Sequence, residues 1–384
     1  MGHGAHTADI VVIGGGMAGV SLAANLLGAG GAARDGEPAG SVTLLEGESR
    51  LAYHTTGRSA AKFLETYGAA QIRALTRASR PLYEAASGDG ETPELLTPGP
   101  EMIVADAGTA ADLAARIAEV PSLRRLSVDE ARGYCPALSE AYLAAAAVED
   151  DAADIDVLGL HQHYLRAARR RGLEVRSGTR VVSAAPADGG AWRIETTDGT
   201  IEAGVVVNAA GAWADRVAAM FGATPVGLAP LRRTLAVVPA EGVDRGWPIV
   251  ADMAETFYFR PEGDALLISP TDETPSEPTD AKPDDLDVAL AIERVNAATT
   301  LGIRSVRTAW AGLRTFAADR LPVVGYDPKV PGLFWLAGQG GYGIQMGPAL
   351  ARCAAALVAG EPVPEEILAE GTDPALLTPA RFPL

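Results

Sequence analysis

Apolar positions along the chain fall into two periods, one of strands and one of helices. After Asp9 the run to Ile13 is wholly apolar, the pattern of a strand buried on both faces of a parallel sheet. Helical spacing follows from Met17 to Leu27, and Ser41 to Glu46 reads as a second strand, so the chain opens as a βαβ unit. Between this helix and strand lies GAGGAARDGEPAG, a Gly/Pro/Ala-rich surface loop. Helical spacing recurs over Ala69 to Ala86 and Ala111 to Ala118, and strands are expected at Glu101 to Ala105 and Tyr142 to Val148. Asp156 is a suitable N-cap for a helix reaching Arg171. Strands follow in LEVRSGTRVVSAA, then a hairpin turning at Asp198-Gly199, and VVVNAAGAW reads as a buried strand entering a glycine turn.

Residues 226 to 320 change character. TLAVVPA, TFYFRPEG and ALLISP predict strands of a second sheet, and a Pro- and acid-rich loop precedes a helix from Leu286 to Leu301. The final segment, LFWLAGQGGYGIQMGPALARCAAALVAG, predicts strand, glycine turn and helix. No internal repeat of fixed period is visible.

Composition narrows the classes. With 384 residues, 48% hydrophobic and 21% charged, the chain can build two domains or one large α/β unit. A formal charge of −17 argues against nucleic acid or anionic membrane as a partner. Cys135 and Cys353 fit no metal or redox spacing and exclude a disulfide framework, which points to a reducing cytoplasm. The histidines (His3, His6, His54, His161 and His163) form no zinc pattern, so no metal site is expected; His161 and His163 are read as surface residues. The N-terminus carries no signal-peptide pattern, and no run of 18 apolar residues suggests a membrane span.

Candidate chemistry begins at Gly14, Gly16 and Gly19, a G-x-G-x-x-G between strand and helix that also contains Met17 and Ala18. The first glycine makes the turn, the second admits a pyrophosphate, and the third packs helix on strand. Free N–H groups at the helix start attract phosphate. Glu46, at the end of the next strand, is placed to accept from ribose hydroxyls, although it lies 27 residues beyond Gly19, with the glycine-rich loop absorbing the excess. A second set with this spacing, Gly338, Gly340 and Gly343, is followed by only 41 residues, too few for another βαβ half. Its better use is a helix N-terminus aimed at the flavin N1–C2=O region. The two ends of the chain then hold the two ends of one FAD.

Four segments carry a resemblance: Thr55-Thr56-Gly57-Arg58-Ser59-Ala60-Ala61, Val205 to Trp213, Thr308 to Phe316, and Gly338 to Gln345. In these the chain resembles the FAD-dependent D-amino acid oxidase and dehydrogenase superfamily, most closely the D-arginine dehydrogenase type. The resemblance implies an α/β fold, a Rossmann-type FAD-binding domain interleaved with a β-rich α+β substrate domain. The expected boundaries are 1–95, 150–225 and 321–384 for the first and 96–149 and 226–320 for the second. It implies non-covalent FAD, although His54 stands near the Gly57–Ala61 run. Gly57, Arg58, Ser59 and Ala61 would lie near the pyrophosphate and flavin, and Arg180 and Val181 at the adenine end. Ala210, Gly211 and Gly312 would pass close to the cofactor. Gly341, Tyr342, Gly343, Ile344 and Gln345 would wrap the flavin, with Gly341 and Gln345 also facing substrate.

Matching positions for a carboxylate clamp are Arg233, Tyr258 and Arg314; sequence leaves Arg232 interchangeable with Arg233. A planar guanidinium holds a carboxylate by two bonds and so orients the Cα–H. Glu101 and Tyr67 match the residues that recognise a cationic side chain. Lys62 stands where that type has a histidine, and it could serve as a base, orient a carboxylate, turn outward or pair with Glu65. The expected reaction is oxidation of an amino acid, with a D-amino acid as the first candidate and a cationic one among them, by hydride transfer from Cα to flavin N5, with oxygen or a quinone as acceptor. The alternatives are a sarcosine- or glycine-type amine oxidase, a 2-hydroxyacid dehydrogenase, or a flavoprotein without turnover.

Overall fold

The apolar run of the first strand is continuous because both of its faces are covered. In the computed structural model, which describes residues 6–28, 40–88 and 90–383, the strand is His6–Ile13. Ile10 and Val12 join a core on one side of the sheet, while Ala8, Val11 and Ile13 join a core on the other. The same division separates Leu44 from Leu45 and Val207 from Val206. From Ile10 to Ile13 strand alternation thus serves two cores at once, while Ala8, two residues before Ile10, departs from it.

His6–Ile13 pairs in parallel with Val42–Glu46 and with Gly199–Asn208. Val42–Glu46 continues to Glu174–Ser177, and Gly199–Asn208 continues to Leu333–Ala337, again in parallel. The hairpin Trp192–Thr196 to Gly199–Asn208 turns where expected, with Gly199 at φ 102°. Four helices, Met17–Leu26, Ala70–Ser87, Val157–Arg170 and Gly347–Val358, contribute to one core. Each fully buried Leu or Val there contributes roughly 1.5–3 kcal/mol over leaving it exposed. The expected N-cap is present: the Asp156 side chain accepts from Gly159 N at 2.7 Å.

A second sheet of nine strands runs through residues 101–149 and 229–316. Its longest pair joins Ala229–Pro239 to Thr308–Phe316, antiparallel. Ala236 and Val238 face the helix Asp285–Ala298, while Leu235 and Val237 face the opposite side with Ala60 and Trp310. A division into two interleaved domains along these segments is our reading of this arrangement.

Some expectations shift. The strand expected from Tyr142 is Ala145–Glu149, and the helix expected to Leu301 ends at Ala298. The last helix begins at Gly347, not at Gly343; residues between fold as turns. Residues 29–39 of the glycine-rich loop, and His3, lie outside the described residues. His161 is no surface residue: it is 1% exposed, and its Nε2 lies 3.1 Å from the Gly15 carbonyl. Its helix turns that face onto the first glycine turn, and burial lowers its pKa.

Gly19 fixes how the first helix meets its strand. A Cβ there would lie 2.0 Å from the Gly14 carbonyl oxygen. Gly19→Ala should therefore cost about 1–3 kcal/mol through overpacking and lower the retained flavin; an unchanged denaturation midpoint and flavin content would refute this.

Candidate active site

The first glycine turn and the second sheet enclose a cavity of about 650 Å³. Its floor is the start of the first helix. Gly14 has φ 116°, and a Cβ on it would stand 2.3 Å from the Ala209 carbonyl oxygen. The turn can therefore close on VVVNAAGAW only without a side chain. Gly16, the N-cap, carries no side-chain cap, which leaves the helix start open to the cavity. Met17 N is taken by Thr56 Oγ1 at 3.0 Å. Glu46 lines the cavity with its carboxylate already anchored, Oε2 accepting from Gly15 N and Oε1 from Glu48 N, both at 2.8 Å.

Most of the expected cofactor residues converge on this space. Gly14, Gly16, Met17, Ala18, Glu46, Arg180 and Val181 line one end, with Ala210 and Gly211 beside them. Arg58, Ser59, Gly312, Gly341, Gly343 and Ile344 line it further along. The donor set fits a dinucleotide: a helix start with glycine at its N-cap, a carboxylate at a strand end, and walls stripped of Cβ atoms.

Other expected residues stand behind the walls. Gly19 and Gly57 serve packing; a Cβ on Gly57 would meet Ala52 O at 2.5 Å. Ala61 takes φ 60° and donates its N–H to Ser59 Oγ. The Arg58 guanidinium donates to the Ala281 and Ala311 carbonyls at 3.0 and 2.8 Å and pairs with Asp280, so it ties the cofactor segment to the second sheet. Gln345 is buried and donates to Leu64 O and Thr76 Oγ1, bracing the segment before Tyr67.

The roof is built by β alternation. Arg233 lies opposite Gly312 across the long antiparallel pair, and Arg314 lies opposite Leu231, which puts the two arginines diagonally on one face. Arg232 points the other way, to Asp272, Asp284 and Asp287. Strand direction thus resolves the Arg232/Arg233 ambiguity. Tyr258 alternates against Phe257 and Phe259, which belong to the core, and so faces the cavity. Its hydroxyl is buried and meets no hydrogen-bond partner within the described protein. Gly341 allows Arg314 to lie against backbone, since a Cβ there would be 2.7 Å from the Arg314 Cζ. Tyr67 OH is 3.5 Å from Arg314 Nη1, and the Tyr67 ring packs on Tyr342 with centroids 5.1 Å apart. Burial, then the like charge of Arg314, lowers the Arg233 pKa. Two guanidiniums on one face of the sheet and a hydroxyl without a partner line the same cavity, an arrangement whose chemistry suits an anion.

Lys62 is not in this pocket. Its Nζ donates to the Gly99 carbonyl at 2.6 Å and pairs with Asp154 at 3.1 Å, and Asp154 also receives Arg260. Glu65 pairs with Arg80 instead of Lys62. Burial lowers the Lys62 pKa, and Asp154 opposes that shift. Glu101 does not line the cavity either. It sits directly across the strand pair from Glu149, which accepts from Glu65 N and Thr66 Oγ1. Burial and then the Glu149 charge push Glu101 up to about 8. At neutral pH it is mostly protonated, a poor partner for a guanidinium.

Sequence reading passed over Thr55 and Thr56 as site residues although they open the recognised run. Thr55 Oγ1 donates to Leu313 O at 2.8 Å, joining the two halves of the cavity wall. His161 carried no usable signal.

The family model for FAD dependent oxidoreductase (DAO) matches residues 9–357, and the chain belongs to this family. It is an FAD-dependent oxidoreductase. The chain is 28% identical over 214 residues to mitochondrial dimethylglycine dehydrogenase from Rattus norvegicus, a match covering 50% of this chain and 24% of that protein. It is 27% identical over 251 residues to the oxidoreductase YurR of Bacillus subtilis, covering 63% of this chain and 64% of that one. The chain thus spans about a quarter of the dehydrogenase, the first of these relatives. Its fold is similar to glycine oxidase from Geobacillus kaustophilus, with a TM-score of 0.82 at 22% identity over 98% of this chain and 99% of that one. It is also similar to L-proline dehydrogenase from P. horikoshii, at 0.81 and 20% over 98% of each chain. Among the described residues, no helix is long and apolar enough to cross a membrane.

Glu101 supplies a pH test. Its carboxyl titrates near 8 in the fold against 4.5 ordinarily, so between those values the folded state holds the extra proton. Stability is then lost as pH rises through that window. Glu101→Gln should flatten this dependence and raise the urea midpoint above wild type at pH 8, with the two curves meeting near pH 4.5; parallel curves would refute the assignment.

Proposed function

We propose that the protein oxidises the carbon between an amine and a carboxylate, with a D-amino acid as the preferred candidate. The observation that carries this reading is the convergence of Arg233, Arg314 and Tyr258 on one face of a sheet, over a cavity whose opposite wall is the dinucleotide turn. Arg314 and Arg233 would grip the substrate carboxylate, and the Tyr258 hydroxyl would donate to it. That grip fixes the Cα–H toward the cofactor, and Tyr67, packed on Tyr342, stands behind Arg314 and not among the residues that line the cavity. FAD, held without a covalent bond, supplies the two-electron acceptor that takes hydride from Cα. With the amine bound as the free base, loss of hydride and of one N–H proton leaves an imine, which water converts to a keto acid and an amine. Lys62, committed to Asp154 and Gly99, is given no part as base.

A second reading is a glycine- or sarcosine-type amine substrate. It is favoured by the relatives whose names include dimethylglycine dehydrogenase and glycine oxidase. Preference for a cationic side chain loses support from the placement of Glu101. Two free, buried cysteines agree with a reducing compartment, and we place the protein in the cytoplasm.

Anaerobic bleaching of the flavin band should separate the readings. The panel is D- and L-alanine, D-arginine, glycine, sarcosine and lactate, and reoxidation by oxygen or a quinone then identifies the acceptor. Bleaching by D-alanine ahead of sarcosine supports the first reading, and the reverse order supports the second. Bleaching by lactate alone, or by none, refutes both. Arg314→Ala should raise KM for the reactive substrate about 10- to 100-fold with FAD retained; unchanged KM would remove Arg314 from the clamp.

A further inference from the structure

One carboxylate of the protein already stands beside the clamp. Glu273 Oε1 lies 2.7 Å from Arg320 Nη2 and 3.6 Å from Arg233 Nη2, and Arg320 Nη1 holds the other oxygen at 3.1 Å. The preceding residue contributes as well, since Asp272 O accepts from Arg233 Nε at 2.9 Å. The Arg320 side chain is 45% exposed, and it is held by more than this ion pair. Its guanidinium lies 3.8 Å from the centroid of the Phe316 ring, which packs edge-on to Tyr342, and its backbone takes φ 61°. Tyr342 in turn packs on Tyr67 beside Arg314. A chain of contacts therefore places a partly exposed carboxylate beside Arg233, outside the residues that line the cavity, with a third arginine paired to it. Burial opposes the charge on Glu273, but Arg320, Arg233 and Arg314 outweigh it and hold its pKa below the usual value.

We propose that Glu273 is a specificity-determining residue: its carboxylate occupies the outer side of Arg233 and so excludes substrates that bring a second carboxylate to the clamp. The inference rests on the amine-and-carboxylate reading above. The clamp can satisfy one substrate carboxylate. A second, extending toward Arg233 and Arg320, meets Glu273 at close range and must displace it from both guanidiniums. Like charges placed together at a recognition site discriminate against the wrong partner even where the right one gains nothing. Neutral or cationic side chains encounter no such repulsion.

The test compares ligands that differ by one carboxylate, sarcosine with iminodiacetate and racemic alanine with racemic aspartate, in the FAD-loaded protein. The readout is the ratio of kcat/KM for the dicarboxylate to that for the monocarboxylate. Glu273→Gln should raise this ratio about tenfold or more, whatever happens to absolute rates through a looser Arg233. Arg320→Met, which leaves Glu273 less neutralised, should lower it. Equal loss for both members of each pair in Glu273→Gln would make the residue a mere brace of Arg233 and overturn the proposal. If the wild-type protein reacts with neither monocarboxylate, the underlying substrate reading fails, and the selectivity role fails with it. A wild type that reacts with the monocarboxylates, beside a variant with an unchanged ratio, overturns the selectivity role alone.

Discussion

Two guanidinium groups, Arg233 and Arg314, lie buried on one face of an antiparallel strand pair, and each opposes the other's charge. In a medium of low polarity that repulsion must be met by an anion or by surrounding acceptors. The protein meets part of it: Asp272 O and the Glu273 carboxylate support Arg233, and the Tyr67 hydroxyl lies near Arg314. Both arginines line the cavity, as does Tyr258, whose hydroxyl has no partner among the described residues. On the reading proposed above, a substrate carboxylate would answer that imbalance of charge, and its grip would set the orientation that a flavin reaction requires.

The arginine roof and the cofactor floor are mechanically joined. Thr55 donates to Leu313 O beside Arg314, and Arg58 reaches the Ala311 carbonyl and the 280–281 loop. Gly341 brings the last glycine turn against the Arg314 guanidinium. Each neutral hydrogen bond of this kind is worth on the order of 1 kcal/mol net, but their shared effect is geometric. They fix the strand that carries Arg314 relative to the turn that carries the cofactor.

A second group of charges, with Lys62 and Glu149 buried and Asp154 reaching solvent, lies outside the cavity lining and has a different purpose. Lys62, Asp154 and Arg260 form one network, while Glu149 holds the backbone of Glu65 and the hydroxyl of Thr66. Together with Gln345 they fix residues 62–66, and hence the start of Tyr67. Residues that look like site chemistry in the sequence here set the position of the pocket wall.

By itself, the sequence determined the βαβ opening, the hairpin at Asp198-Gly199, the dinucleotide turn and the presence of Arg314 in its segment. These are local: a continuous apolar run, a glycine where φ is positive and a cap at Asp156 each act through neighbours in the chain. Only the tertiary structure decided that Arg233 and not Arg232 enters the cavity, because the face of a strand is set by its partner's register. It likewise decided that Lys62 turns to Asp154, that Glu101 shares a buried site with Glu149, and that His161 supports the Gly15 carbonyl. The groups that fix those charges lie 92, 48 and 146 residues away along the chain. No local pattern records such distances; the folded packing creates both the neighbours and the loss of water that gives them their effect.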